Sequence, residues 1–167
     1  MNSVEVNVNV ESSGGTYAPT YIKFDSYQGT DLQGDVNGLD TSNMVSMRNM
    51  LSSCGKSSPD LDVSHFNTSN VADMSYMFWG SHGLTSLNLN GFDTSKVWNI
   101  AQFVRGCSSL KRIDMRTMTF DSVTQKGYMF DGIPADCEII VKGETEKAFV
   151  LNDRSSLTNV KTVAELE

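Results

Sequence analysis

Leu61 to Phe78 reads LDVSHFNTSNVADMSYMF, and Leu87 to Val104 reads LNLNGFDTSKVWNIAQFV. The matching apolar positions are Leu61 and Leu87, Val63 and Leu89, Phe66 and Phe92, Val71 and Val97, Met74 and Ile100, and Met77 and Phe103, each pair 26 residues apart. An internal repeat of roughly 20 to 50 residues is the signature of a solenoid or array. Each copy opens with alternating residues, Leu61-Asp62-Val63 and Leu87-Asn88-Leu89, which suit a short strand with every second side chain in a core. A turn follows, Asn67-Thr68-Ser69-Asn70 and Asp93-Thr94-Ser95-Lys96, whose side-chain oxygens satisfy free backbone N–H groups. Then come Val71, Met74, Met77 and Phe78, repeated as Val97, Ile100, Phe103 and Val104. That spacing predicts one apolar face of a short helical segment, α or 3₁₀.

Outward from these two coils the pattern decays. Leu39-Asp40-Thr41-Ser42-Asn43-Met44, with Met47, Met50 and Leu51, matches Phe66 to Phe78 at an offset of 27, the extra residue falling near Lys56 to Pro59. The first half of that coil offers only Leu32 and Val36, so its strand is degenerate. Upstream, Val4 to Val10 and Tyr21 to Phe24 read as strands of a cap. Downstream, a fourth coil begins with Ile113, Met115 and Met118. It then loses its signature at Thr119-Phe120-Asp121-Ser122, and Lys126 occupies a core position. Ile139 and Val141 predict a further strand, Glu144 to Leu151 a short amphipathic helix, and Leu157 to Val163 a last apolar segment. One coil cannot bury its apolar faces alone, and stacking joins them into one core. The expected organisation is one continuous domain: an N-terminal strand and cap at 1–31, the array at 32–136 and a C-terminal cap at 137–167.

The chain has 167 residues, thirteen basic and twenty acidic, for a net charge of −7 without any Lys or Arg run. That field repels phosphate backbones, so nucleic acid is not an expected partner. No stretch reaches the roughly 18 consecutive apolar residues of a membrane helix, and MNSVEVNVNVESSGG lacks the regions of a signal peptide, so a soluble chain is expected. Cys54 and Cys107 share a repeat position two coils apart, with Ser81 between them. Two coil spacings of about 4.8 Å exceed disulfide reach. Cys137 has no partner at metal-site spacing, and neither a metal nor another cofactor is expected. His65 and His82 sit outside any catalytic motif, so no enzyme is expected.

Stacking also lines up polar columns. Asp40, Asn67 and Asp93 form one, assigned to turn chemistry; Asp62, Asn88 and Asp114 form another, outward from the core, read as a solvated ladder before a Ca²⁺ site. The outward strand positions are where a ligand is expected: Asp62, Ser64, Ser86, Asn88, Asn90, Arg112, Asp114 and Arg116, a surface turning basic toward the C-terminal coil. Tyr76, Trp79 and Trp98 fall off the apolar register and suit an interface or stacking on sugar rings, with packing between coils the alternative.

The string L-D-V-S-x-F-N-T-S-N-V-x-D-M-S-Y-M-F resembles the repeat of the BspA-like leucine-rich-repeat family of bacterial surface proteins, L-x-x-L-D-L-S-x-F-D-T-S-x-V-x-x-M-x-x-M-F-x-x-C, over Leu39 to about Phe130. The resemblance implies an α/β fold: a short right-handed solenoid of about four leucine-rich-repeat-like coils, with a parallel sheet on one side and short helical segments on the other. It also implies a non-catalytic module, displayed at the cell surface or outside the cell, that binds a host or cell-surface protein or glycan. The tail, Cys137-Glu138-Ile139-Ile140-Val141 and Leu157-Thr158-Asn159-Val160, is similar to endings of repeat modules on phage tail or baseplate proteins. That similarity implies a virion component as the alternative.

Overall fold

The computed structural model describes residues 40–54 and 60–167. The expected strands at Val4–Val10 and Tyr21–Phe24, the N-terminal cap, Leu32, Val36 and the loop at Lys56–Pro59 lie outside them. Five parallel strands stack in chain order: β1 (Asp60–Asp62), β2 (Ser86–Asn88), β3 (Arg112–Met115), β4 (Glu138–Val141) and β5 (Val160–Thr162). The register follows the repeat, pairing Leu61 with Leu87, Leu87 with Ile113 and Ile113 with Ile139. From β1 to β4 the chain makes about three full turns of a β-solenoid. The one α-helix among the described residues, α1 (Glu144–Asp153), lies between β4 and β5.

The side opposite the sheet is not helical. Val71, Met74, Met77 and Phe78 are buried there, as are Val97, Ile100, Phe103 and Val104, but the backbone runs as consecutive turns. Alternate N–H groups point along the solenoid axis and bond the next coil. Met74, Tyr76, Phe78 and Gly80 donate to the carbonyls of Asn99, Ala101, Phe103 and Arg105; Ile100, Gln102, Val104 and Gly106 donate to those of Gln125, Gly127, Met129 and Asp131. The cause is a left-handed residue every fourth position: Asn49 and Ser53, Tyr76 and Gly80, Gln102 and Gly106, Tyr128 and Gly132. A helix needs uninterrupted right-handed dihedrals. Broken this way, the chain keeps the threefold spacing of its buried side chains and turns its amides toward the neighbouring coil.

Three corners of the coil are held by side-chain oxygens that accept the N–H two residues on. Asp40, Asn67 and Asp93 hold Ser42, Ser69 and Ser95. Asp62, Asn88 and Asp114 hold Ser64, Asn90 and Arg116. Asp73 and Asn99 hold Ser75 and Ala101.

The array ends by substitution of side chains for a missing coil. Val104 N–H donates to Met129, but the equivalent Phe130 N–H meets the Asp153 carboxylate at 3.1 Å. Arg154 donates to the carbonyls of Phe130 and Ile133. Phe120 replaces the threonine of earlier coils and stacks on Phe149 of α1, ring centres 4.1 Å apart. The helix is less amphipathic than its sequence suggests: it buries Val150 and Glu146, with Phe149 and Leu151 at the core's margin.

Candidate functional site

The sheet face carries the outward strand positions. Asp62, Ser64, Asn88 and Asn90 are exposed, while Ser86 is half-buried in β2. The column Asp62, Asn88, Asp114 differs from a free polar ladder, since each member has an oxygen committed to its corner amide. That hydrogen bond lowers the Asp62 pKa. Among the described residues no cluster of three or more His, Cys, Asp or Glu side chains is placed to hold a metal ion.

Toward the C-terminus the face carries a chain of ion pairs. Asp114 is only 9% exposed, because Arg116 grips both of its carboxylate oxygens and Arg112 flanks it. Burial alone raises the Asp114 pKa, but the hydrogen bonds and charge of Arg116, with the charge of Arg112, outweigh it and hold the pKa low. Arg112 also pairs with Glu138, and Glu138 with Lys161 at 2.9 Å. Arg112, Arg116 and Lys161 are thus ion-paired within the strip to two carboxylates, Asp114 and Glu138, while their side chains stay 37–44% exposed, so the strip keeps one positive charge in excess. The next outward position, Ile140, is buried and ends the polar strip.

The turn face, opposite the sheet, is aromatic. Trp79, Trp98 and Tyr128 are 43%, 47% and 64% exposed, and Tyr76 is half-buried. Tyr76, Gln102 and Tyr128 form one column on successive coils, all three in the left-handed conformation. Gln102 Nε2 donates to the Tyr76 hydroxyl at 2.9 Å, and Arg105 donates to Gln102 Oε1 at 2.9 Å and to Asp131 at 3.0 Å. Arg48 lies over the Tyr76 ring at 5.3 Å and Arg105 over that of Tyr128 at 5.1 Å. Sequence reading singles out Tyr76, Trp79 and Trp98 but not Tyr128, Arg48, Gln102 or Arg105. Tyr128 was reachable, since it follows Tyr76 by 52 residues, two periods of the repeat.

Chemistry beyond contact is sparse. Ser108 Oγ stands 3.5 Å from His82 Nδ1, both exposed. The buried carboxylate that orients the imidazole in a Ser–His–Asp site is not joined to this pair among the described residues. Cys54, Cys107 and Cys137 are buried free thiols. Burial pushes the Cys107 pKa to about 12, opposite to an activated nucleophile.

Comparison with known proteins gives one match. The model of the family described as "Mycoplasma protein of unknown function, DUF285" matches residues 22–140. No curated protein and no solved structure matches the chain.

Proposed function

We propose that this chain, which belongs to the DUF285 family, is a non-catalytic recognition module that binds a protein or glycan at a cell surface. One observation carries the reading: large aromatic side chains outside the strands, Trp79, Trp98 and Tyr128, are exposed. Trp and Tyr are enriched where proteins meet partners. The sheet face, by contrast, presents side chains already joined in ion pairs, which makes the turn face the surface favoured here. The leucine-rich-repeat likeness, a further coil completed upstream of β1 and an extracellular location belong to this reading. A virion component is the alternative, distinguished by trimerisation in solution.

Retention on isolated cell envelopes tests the reading. The parent chain and an Arg112→Glu/Arg116→Glu variant are expected to be retained, and a Trp79→Ala/Trp98→Ala variant to be released. Loss with the arginine variant alone moves the site to the sheet face, and absence of binding by the parent chain defeats the reading.

A further inference from the structure

We infer that the turn face binds a neutral, extended polysaccharide, an inference that rests on the recognition reading above and names its ligand class. The chain's two tryptophans, Trp79 and Trp98, are both exposed and lie outside the strands. Among the described residues neither indole meets a cation or another aromatic ring. Tyr128 is the most exposed aromatic residue of the four and adds little to the core, yet it is held at φ +61, where a bulky side chain is strained.

The spacing is that of a repeating ligand. Tyr76 and Tyr128 stand two coils apart in one column, with Gln102 between them. Two coil spacings are about 10 Å, the length of two sugar units in an extended β-linked chain. A polymer lying along the solenoid axis therefore meets ring, amide and ring in succession. A pyranose has an apolar C–H face and a rim of hydroxyls; an aromatic ring beside a phenol and an amide satisfies both.

Charge selects a neutral polymer. Among the described residues of this face Arg105 is paired with Asp131, Lys126 is bonded to Asn152, and Arg48 and Arg105 lie against tyrosine rings, so each of these cations is already engaged. The net charge of −7 repels polyanions. A protein partner favours a contiguous apolar centre, whereas here the polar Gln102 stands between the rings of Tyr76 and Tyr128.

Titration of the intact chain with cello- and chito-oligosaccharides, followed by tryptophan emission, tests this. A saturable blue shift is expected, with affinity rising with oligomer length. Trp79→Ala and Tyr128→Ala are expected to weaken binding at least about tenfold, while Arg112→Glu, on the sheet face, leaves it unchanged. Urea melts matching the parent establish that the variants are folded. The inference is overturned if no neutral oligomer shifts the emission and envelope binding survives periodate but not protease. That outcome means a protein partner and leaves the recognition reading standing. A parent chain that binds no envelope and no oligomer overturns both.

Discussion

The hydroxyl of Thr68 accepts the amide N–H of Asp93 at 2.7 Å and donates to the carbonyl of the same residue at 3.0 Å. One buried side chain thus holds both backbone groups of a residue in the next coil. Thr41 does the same to Asn67, and Thr94 to Thr119. The column fastens the coils at a corner beyond the ends of the sheet, which explains why the repeat carries threonine there rather than any small residue.

Thr68→Val keeps the shape but strands the amide and carbonyl of Asp93, and is expected to cost about 2–3 kcal/mol. Thr68→Ser keeps both bonds and should cost less than about 1 kcal/mol. Urea denaturation of the two variants gives the comparison; equal midpoints for valine and the parent would remove the hydroxyl from the account of stability.

Gly132 sits at φ +77, and a Cβ there meets the Cα and N of Gly106 at 3.2 Å. Backbone cannot move aside as a side chain can, so Gly132→Ala is expected to lower stability by about 1–3 kcal/mol. Gly127 has open space around it, and Gly127→Ala should stay within about 0.5 kcal/mol of the parent. Thermal melts of both variants check the contrast.

Lys126 occupies a core position of the repeat and therefore looks replaceable by sequence. In the fold its ammonium group reaches Asn152 at 2.7 Å and lies 4.2 Å from the centre of the Phe149 ring, tying the last coil to α1. Lys126→Glu is expected to loosen the cap at a cost of about 1 kcal/mol. Faster amide exchange confined to Glu144–Asp153 would report it; uniform exchange would show the contact to be dispensable.

The carboxyl pKa values of Asp40, Asp62 and Asp93 are lowered by hydrogen bonds from the serine two residues on, Asp114 by Arg116 against its burial, and Glu138 by Lys161. A group with a lowered folded pKa stabilises the fold above its unfolded pKa and loses that contribution as pH falls through the folded value. Stability should therefore hold from pH 7 down to the ordinary values of 3.8 for Asp and 4.5 for Glu, then fall below them. Relief of the −7 net charge acts the other way only above the pI near 4.7. Melting temperature against pH tests this; a decline beginning near pH 6 would contradict it.

Burial pushes Cys107 and Cys137 up to about 12, and the Cys107 thiol donates to the Phe78 carbonyl. All three thiols are buried. A disulfide reagent at pH 8 should leave the native chain unlabelled and modify all three in urea. Rapid labelling of the native chain would show that the coils open readily.

Residues that recur with the period were legible in sequence: the strand register and the buried Val71, Met74, Met77 and Phe78. The helical reading of the far side failed because residue identity does not reveal left-handed backbone at Tyr76, Gln102 and Tyr128, residues that rarely adopt it. Burial of Met74 and Met77 is compatible with either backbone, so the pattern could not separate them. The ion pairs of the sheet face were not legible for another reason: Arg112 and Arg116 read as a basic patch along the chain, and only parallel pairing brings Glu138, and with it Lys161, beside them.

Position 120 aligns with Thr41, Thr68 and Thr94 but carries phenylalanine. A threonine there offers a hydroxyl to a following coil; phenylalanine offers a flat ring to α1. Everything between two such threonines is a self-contained interval, joined to its neighbours by the same bonds above and below. A gene encoding this chain can thus lengthen or shorten its product by in-frame duplication or loss of one interval. The terminating segment keeps its fit throughout, and the reach of the turn face grows by one strand spacing at a time.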